Sequence, residues 1–240
     1  MHALNHMFGP EPESFEIVAR SPGLVAGKIA IVICLPTFRR PLMLEQTLLS
    51  LAAQQGIGNF AVIVTENDGA RREGAQKAAA MLADNLFCGM VIVEPAQGNC
   101  NAYNAAWRCA LTHFPDARFI CGIDDDEIAS PTWLAELVKG ARTGAGIVGG
   151  PVMPEFQDPR GERYRGHPVF RSHYSTSGPV PMIYSSANYL IRREVIEASP
   201  WPFLDPRFNF MGGGDTDFFT RAKLRGTRFH WRQEALMRET

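Results

Sequence analysis

From Lys28 onward the chain alternates short apolar, β-branched runs with longer stretches whose apolar residues recur at helical spacing. That is the pattern of parallel strands joined by crossover helices. "IAIVICL" reads as a first strand buried on both faces. Behind "PTFRRP", Leu44, Leu48 and Leu51 fall at i, i+4 and i+7, which predicts a helix with one apolar face. "FAVIVTE" reads as a second strand, "REGAQKAAAMLADN" as a helix and "CGMVIVE" as a third strand. A helix through "NAYNAAWRCALTHF" leads into "ARFICGI", the fourth strand. Ser130 and Pro131 then look like the N-cap and first residue of a helix, so the acidic run Asp124, Asp125, Asp126, Glu127 is expected in a strand-to-helix loop. "AGIVGGPV" gives another strand, "SSANYLIRREVIEA" a strand and helix, and "GGGDTDFFTRAKLRGTRFHW" a Gly-rich turn, a helix and a last strand. Residues 153–183 lack a period and read as a functional loop or small excursion, and residues 1–27 as an extended lead-in.

In an open α/β sheet, ligands bind beyond the carboxyl ends of the strands. "PTFRR", "ENDG", "PAQGN" and "DDDE" each follow a strand, so all four are expected at one sheet edge. The length of 240 residues and 45% hydrophobic content suit one domain with a substantial core. The net charge of -1, from 24 basic and 25 acidic residues, argues against a nucleic-acid partner. Five scattered cysteines without C-x-x-C spacing read as small core residues of a reducing compartment. Neither a signal-peptide run nor a membrane-length apolar run occurs, so the expectation is a soluble cytoplasmic protein, at most peripheral to the inner face of a membrane.

Three adjacent aspartates at a strand end raise the cost of ionising one another, which calls for a positive partner. Asp-x-Asp supplies hard oxygen ligands suited to Mg²⁺ or Mn²⁺. A solvated acidic turn at a helix N-terminus is the plainer reading, yet three aspartates exceed what a cap needs. Asp215 and Asp217 behind Gly212, Gly213 and Gly214 read either as helix caps or as catalytic carboxylates.

Taken together and in order, "IAIVICLPTFRRPLMLEQTLLSLAAQ", "FAVIVTENDG", "GNCNAYNAAW", "FICGIDDDEIASPTWLAELV", "SANYLIRREVIE" and "GGGDTDFFTRAKLRG" resemble the family 2 glycosyltransferases. The resemblance covers about residues 28–232. It implies a single GT-A (Rossmann-like) α/β domain, with a mostly parallel central sheet flanked by helices. A nucleotide-sugar half would span about residues 28–127 and an acceptor half about 128–240. It also implies an inverting, Mn²⁺- or Mg²⁺-dependent enzyme that moves a sugar from a nucleotide-diphosphate donor to a saccharide or lipid-linked acceptor.

By position, the resemblance puts Pro36, Thr37, Phe38 and Arg39 beside the nucleoside, with Glu66 as the acidic nucleoside contact. Asn99, Asp124 and Asp125 join the donor side, and Asp126 is the metal ligand. Asp215 matches the catalytic base, with Phe210, Gly213, Gly214 and Asp217 on the acceptor side. The Glu expected before the base is Gly214 here, which leaves the base open between Asp215 and Asp217. "RAKLRGTRFHWR" reads as a diphosphate clamp with His230 as a further metal contact, or as a cationic helix end plus an exposed strand face. "RYRGHPVFRSHY" (163–174) reads as an acceptor contact or a solvated loop. A chain ending at "EALMRET" is expected to be a short or truncated member.

Two other classes stay in view. A haloacid-dehalogenase-type phosphohydrolase also uses Asp-x-Asp, but after its first strand, and a nucleotide-sugar binding domain without turnover would explain Gly214.

Overall fold

The computed structural model describes residues 15–156, 158–164, 167, 172–184 and 187–239. The strands are β1 (Glu16–Arg20), β2 (Ile31–Thr37), β3 (Phe60–Glu66), β4 (Gly89–Val93), β5 (Phe119–Gly122), β6 (Glu127–Ala129), β7 (Ile147–Gly149), β8 (Val152–Pro154), β9 (Gly178–Val180), β10 (Tyr189–Arg192), β11 (Phe229–Trp231) and β12 (Met237–Glu239). Between them lie α1 (Pro41–Ala52), α2 (Glu73–Ala83), α3 (Asn99–His113), α4 (Trp133–Ala141), α5 (Arg193–Glu197) and α6 (Gly214–Leu224). Among the described residues, nine strands form one sheet in the order β1-β4-β3-β2-β5-β10-β7-β11-β9, and β6, β12 and β8 form a small second sheet.

The block β4-β3-β2-β5 is parallel throughout, as its unbroken apolar runs imply. Its alternate residues feed two cores. Val32 and Cys34 of β2 with Ile63 and Ile92 pack on α3, while Ile31, Ile33 and Leu35 with Val62, Val64 and Val93 face α1 and α2. Leu44, Leu48 and Leu51 of α1 are all buried in the second core, as their spacing predicts. Beyond β5 the sheet becomes mixed, because β10 enters antiparallel between β5 and β7.

Several local expectations are corrected. Residues 16–20 are extended, but as a sheet strand: β1 pairs antiparallel with β4, and Phe15 is buried beside it. The acidic run does not lead directly into a helix, since Glu127 opens β6, which pairs with β12. Strand pairing keeps the chain extended past Ser130, whose N–H donates to the Leu236 carbonyl, so α4 starts at Trp133 with Thr132 at its N-cap position. The Gln54 side chain supplies the missing cap, accepting the Leu134 N–H at 2.9 Å. Of the cysteines, Cys88 is exposed and the other four are buried. Among the described residues, no helix is long and apolar enough to cross a membrane. The segment 163–174 lies partly outside the described residues.

Candidate active site

The carboxyl ends of β2, β3, β4 and β5 open into a cleft of about 340 Å³. Pro36, Thr37, Phe38 and Arg40 line it from the β2 loop, and Asn67 lines it after β3. Gln97, Gly98 and Asn99 contribute from the start of α3, and Asp124, Asp125 and Asp126 follow β5. Asn209, Phe210 and Glu239 close the cleft from the other half of the chain. The four loops that the sequence set at one sheet edge do meet there.

The three aspartates have separate surroundings. Asp125 is buried, and its Oδ2 accepts the Thr37 hydroxyl at 2.7 Å and the Phe38 N–H at 3.3 Å. Its Oδ1 accepts Arg40 Nη1 at 3.2 Å, and the same guanidinium nitrogen ion-pairs with Asp126. Asp124 accepts the Tyr103 hydroxyl at 2.8 Å, while its own N–H donates to Glu127 Oε2 at 3.0 Å. Burial raises the Asp124 carboxyl to about 7, assisted by the neighbouring carboxylates of Asp126 and Asp125 and opposed by Tyr103. Burial and Asp124 push Glu127 up as well. A positive partner for the acidic run is present in the structure as Arg40, where the sequence points to a divalent cation and names Arg39 only as a donor contact.

Arg39 turns the other way. Its left-handed backbone (φ 58°) sends the side chain to Asp68, 2.6 Å from Nε, and over the Phe38 ring. Arg39 holds the Asp68 carboxyl down at about 2.

Glu66 is likewise corrected as a nucleoside contact. It is fully buried and does not line the cleft. Its carboxylate accepts the N–H groups of Asp68 (2.8 Å), Gly74 (2.7 Å) and Ala75 (3.1 Å). Those donors belong to the turn before α2 and to its first residues, where Arg72 at the N-cap offers no side-chain bond. Glu66 is therefore a cap supplied by the preceding strand. Asn67 faces the cleft instead, and it organises the next loop by donating to the Glu94 and Ala96 carbonyls and accepting the Gly98 N–H.

A second hollow of about 100 Å³ adjoins the cleft and shares Asn99 and Asn209 with it. Asp215 lines this hollow, together with Gly213, Gly214, Cys100, Tyr103 and Tyr189. Burial raises the Asp215 carboxyl, and the Thr216 and Asp215 N–H groups at the head of α6 only partly offset it. Asp217 lines neither space and pairs with Arg221 at 2.8 Å, one turn along the helix. Gly212 (φ 75°) and Gly213 (φ 92°) make the left-handed turn into α6. At Gly214 a Cβ would stand 2.5 Å from Cys100 Sγ, so a larger residue there would have to displace the Cys100 side chain. Phe210, 78% exposed, stands at the cleft rim.

His230 is not brought to the acidic run. It sits mid-strand in β11, paired with Val148 and Pro179, and lines neither space. Among the described residues, no three His, Cys, Asp or Glu side chains are grouped closely enough to cage a metal. The donor set suits a cation that takes one or two carboxylates and fills its other positions with water and phosphate oxygens, the habit of Mg²⁺ and Mn²⁺. Sequence reading missed Arg40, Asn209 and Glu239. Arg40 differs from the expected residue by one position, but Asn209 and Glu239 carry no local signal, because tertiary packing alone brings them here.

Residues 32–199 match Glycosyl transferase family 2, a stretch that runs from β2 through α5 and includes the acidic run. The chain belongs to glycosyl transferase family 2. The family match ends before α6, so Asp215 rests on geometry rather than on that comparison. This family 2 chain is 32% identical over 224 residues to succinoglycan biosynthesis protein ExoM of Rhizobium meliloti (strain 1021), covering 88% of the chain and 66% of ExoM. It thus spans just under two thirds of that relative. Among solved structures, S. aureus TarS 1-349 has the same fold, with a TM-score of 0.69 at 16% identity over 88% of this chain and 60% of TarS 1-349. Mannosyltransferase PcManGT from Pyrobaculum calidifontis, in complex with GDP-Man and Mn2+, gives 0.63 at 17% identity over 96% of this chain and 60% of its own.

Proposed function

We propose that the protein transfers a sugar, with inversion, from a nucleoside-diphosphate donor to a hydroxyl of a saccharide or lipid-linked acceptor in polysaccharide biosynthesis. The observation that carries this reading is the junction of the two spaces: the acidic cleft and the Asp215 hollow share Asn99 and Asn209, so a donor in the cleft would adjoin the hollow that Asp215 lines. The name of ExoM supports a role in polysaccharide synthesis, and neighbours of the same fold were solved with UDP or with GDP-Man and Mn2+.

In this mechanism Pro36, Thr37 and Phe38 border the nucleoside, and Asn67, acting through the Gly98 loop, shapes the diphosphate end. The acceptor enters from the side of Phe210 and Gly213. Its hydroxyl oxygen bonds to the anomeric carbon as the bond from that carbon to the phosphate oxygen breaks, and the hydroxyl proton passes to Asp215. A raised carboxyl suits that task, because a stronger base takes the proton more readily. Asp126, with Asp125 beside it, would hold a divalent cation, which supplies positive charge to the departing diphosphate.

A thermal-shift panel of UDP, GDP, ADP and CDP, each with and without Mn²⁺, tests the donor class. A ligand at 100 times its dissociation constant stabilises by about 2.7 kcal/mol, which for a chain of this size raises the melting temperature by roughly 5–10 °C. One nucleotide is expected to do so, and more strongly with Mn²⁺. No shift with any of the four would overturn the reading.

A further inference from the structure

We propose that Arg40 is an internal counter-ion that competes with the divalent cation for Asp125 and Asp126, and that the cation releases it to the donor diphosphate. The inference deepens the functional reading above and rests on it for the identity of the donor.

The geometry makes Arg40 the movable member of the group. Asp125 is fixed from behind by Thr37 and Phe38, and its carbonyl lies 3.0 Å from the Thr47 hydroxyl of α1. The Asp126 side chain is 19% exposed, whereas that of Arg40 is 50% exposed. The Arg40 backbone is tied down, since its carbonyl accepts the Leu44 N–H at 2.9 Å and Pro41 follows as the first residue of α1. Only the guanidinium end is free to swing. It also meets the same carboxylate oxygens that a cation would require, so the two positive groups exclude each other at close range.

Charge explains why the exchange is useful. Among the described residues lining the cleft, Arg40 is the sole basic side chain, set against the carboxyl groups of Asp124, Asp125, Asp126 and Glu239. With Arg40 held by two of them, the cleft has little positive charge to offer a diphosphate. A cation that displaces the guanidinium adds two charges and frees a third, and the guanidinium fork matches phosphate oxygens. Cation and nucleotide should therefore bind weakly alone and tightly together, and such coupling is reciprocal.

The test is Mn²⁺ binding to the protein without nucleotide, followed by the electron paramagnetic resonance signal of free Mn²⁺, in wild type, Arg40→Gln and Arg40→Lys. Arg40→Gln is expected to bind Mn²⁺ about tenfold tighter than wild type, the scale of removing one close competing charge near the surface. The same variant should bind the nucleoside diphosphate at least tenfold more weakly in saturating Mn²⁺. Arg40→Lys keeps the charge but not the fork, so it should keep Mn²⁺ affinity near wild type and lose nucleotide affinity. Unchanged or weaker Mn²⁺ binding in Arg40→Gln, at wild-type melting temperature, overturns the proposal; if Arg40→Gln melts early, Mn²⁺ binding to Arg40→Lys tighter than to wild type does so. Absence of any nucleotide binding by wild type defeats the donor reading instead, and leaves the Mn²⁺ comparison to report on Arg40 by itself.

Discussion

At the scale of single residues, two environments meet on Asp215, the proposed base. The first turn of α6 offers N–H groups that favour its charged form, while the aromatic hollow around it disfavours that form and prevails. Asp215→Asn keeps size and capping but cannot accept a proton. Transfer by this variant is expected to fall by about 10²-fold or more, with donor affinity near wild type, as read by steady-state rates and nucleotide titration. Asp217→Asn, which removes the pairing of this carboxylate with Arg221, should transfer normally. The pH dependence follows in sign. A base works when ionised, so kcat/KM should decline as pH falls, with its midpoint above the ordinary aspartate value of about 3.9 because burial raises Asp215. Composition and order showed which loops hold these carboxylates. Which side chain on a loop faces the ligand is decided by one backbone turn: the left-handed Arg39 sends its own side chain to Asp68 and leaves Arg40 to the cleft. A strand-end Glu66 looks like a ligand contact until the amides of α2 are seen to occupy it.

At the scale of elements, the contact between α3 and α6 sets the shape of the hollow. Gly214 begins α6 with its Cα against Cys100, and an added Cβ would reach Sγ at 2.5 Å. Gly214→Ala is expected to lower stability by about 1–3 kcal/mol, the usual cost of overpacking. Cys100→Ala in the same chain should recover most of that loss. A denaturant double-mutant cycle measures the coupling, and simple additivity of the two changes would refute the contact as the cause. The long elements were legible because their periods are strong, as in the Leu44, Leu48, Leu51 face of α1. Strands β6, β8 and β12 were not, since each has three residues and exists only through pairing with partners far away in the chain. That pairing also displaced the start of α4 from Pro131 to Trp133, and Gln54 of another element took over as its cap. Glu239 reaches the cleft by the same route, as the last residue of β12 opposite Glu127.

For the molecule as a whole, alternation of strand and helix disclosed the parallel block and the sheet edge that carries the site, but not the outer limits of the sheet. Gly and Pro near residues 22–27 mark a turn, and the sequence reading took that turn for the start of the domain. The five residues of β1 were too few, and too exposed on alternate positions, to stand out. Their partner β4 is buried along its whole length, so removing β1 would bare a flat apolar strand with unpaired backbone groups, which is a template for aggregation. Phe15 would leave the α3-side core with it. A chain beginning at Lys28 is therefore expected to melt about 3–12 °C below one beginning at Phe15, given about 1.5–3 kcal/mol for a buried phenylalanine and 2–4 °C per kcal/mol at this size. It should also scatter light on warming. Because β1 adjoins β4 on the edge of the sheet and contributes nothing to the cleft, nucleotide affinity measured in the cold should match that of the longer chain. Equal melting temperatures would show that the lead-in ends where the sequence pattern placed it, at residue 27, and that β1 is an ornament of the sheet rather than its border.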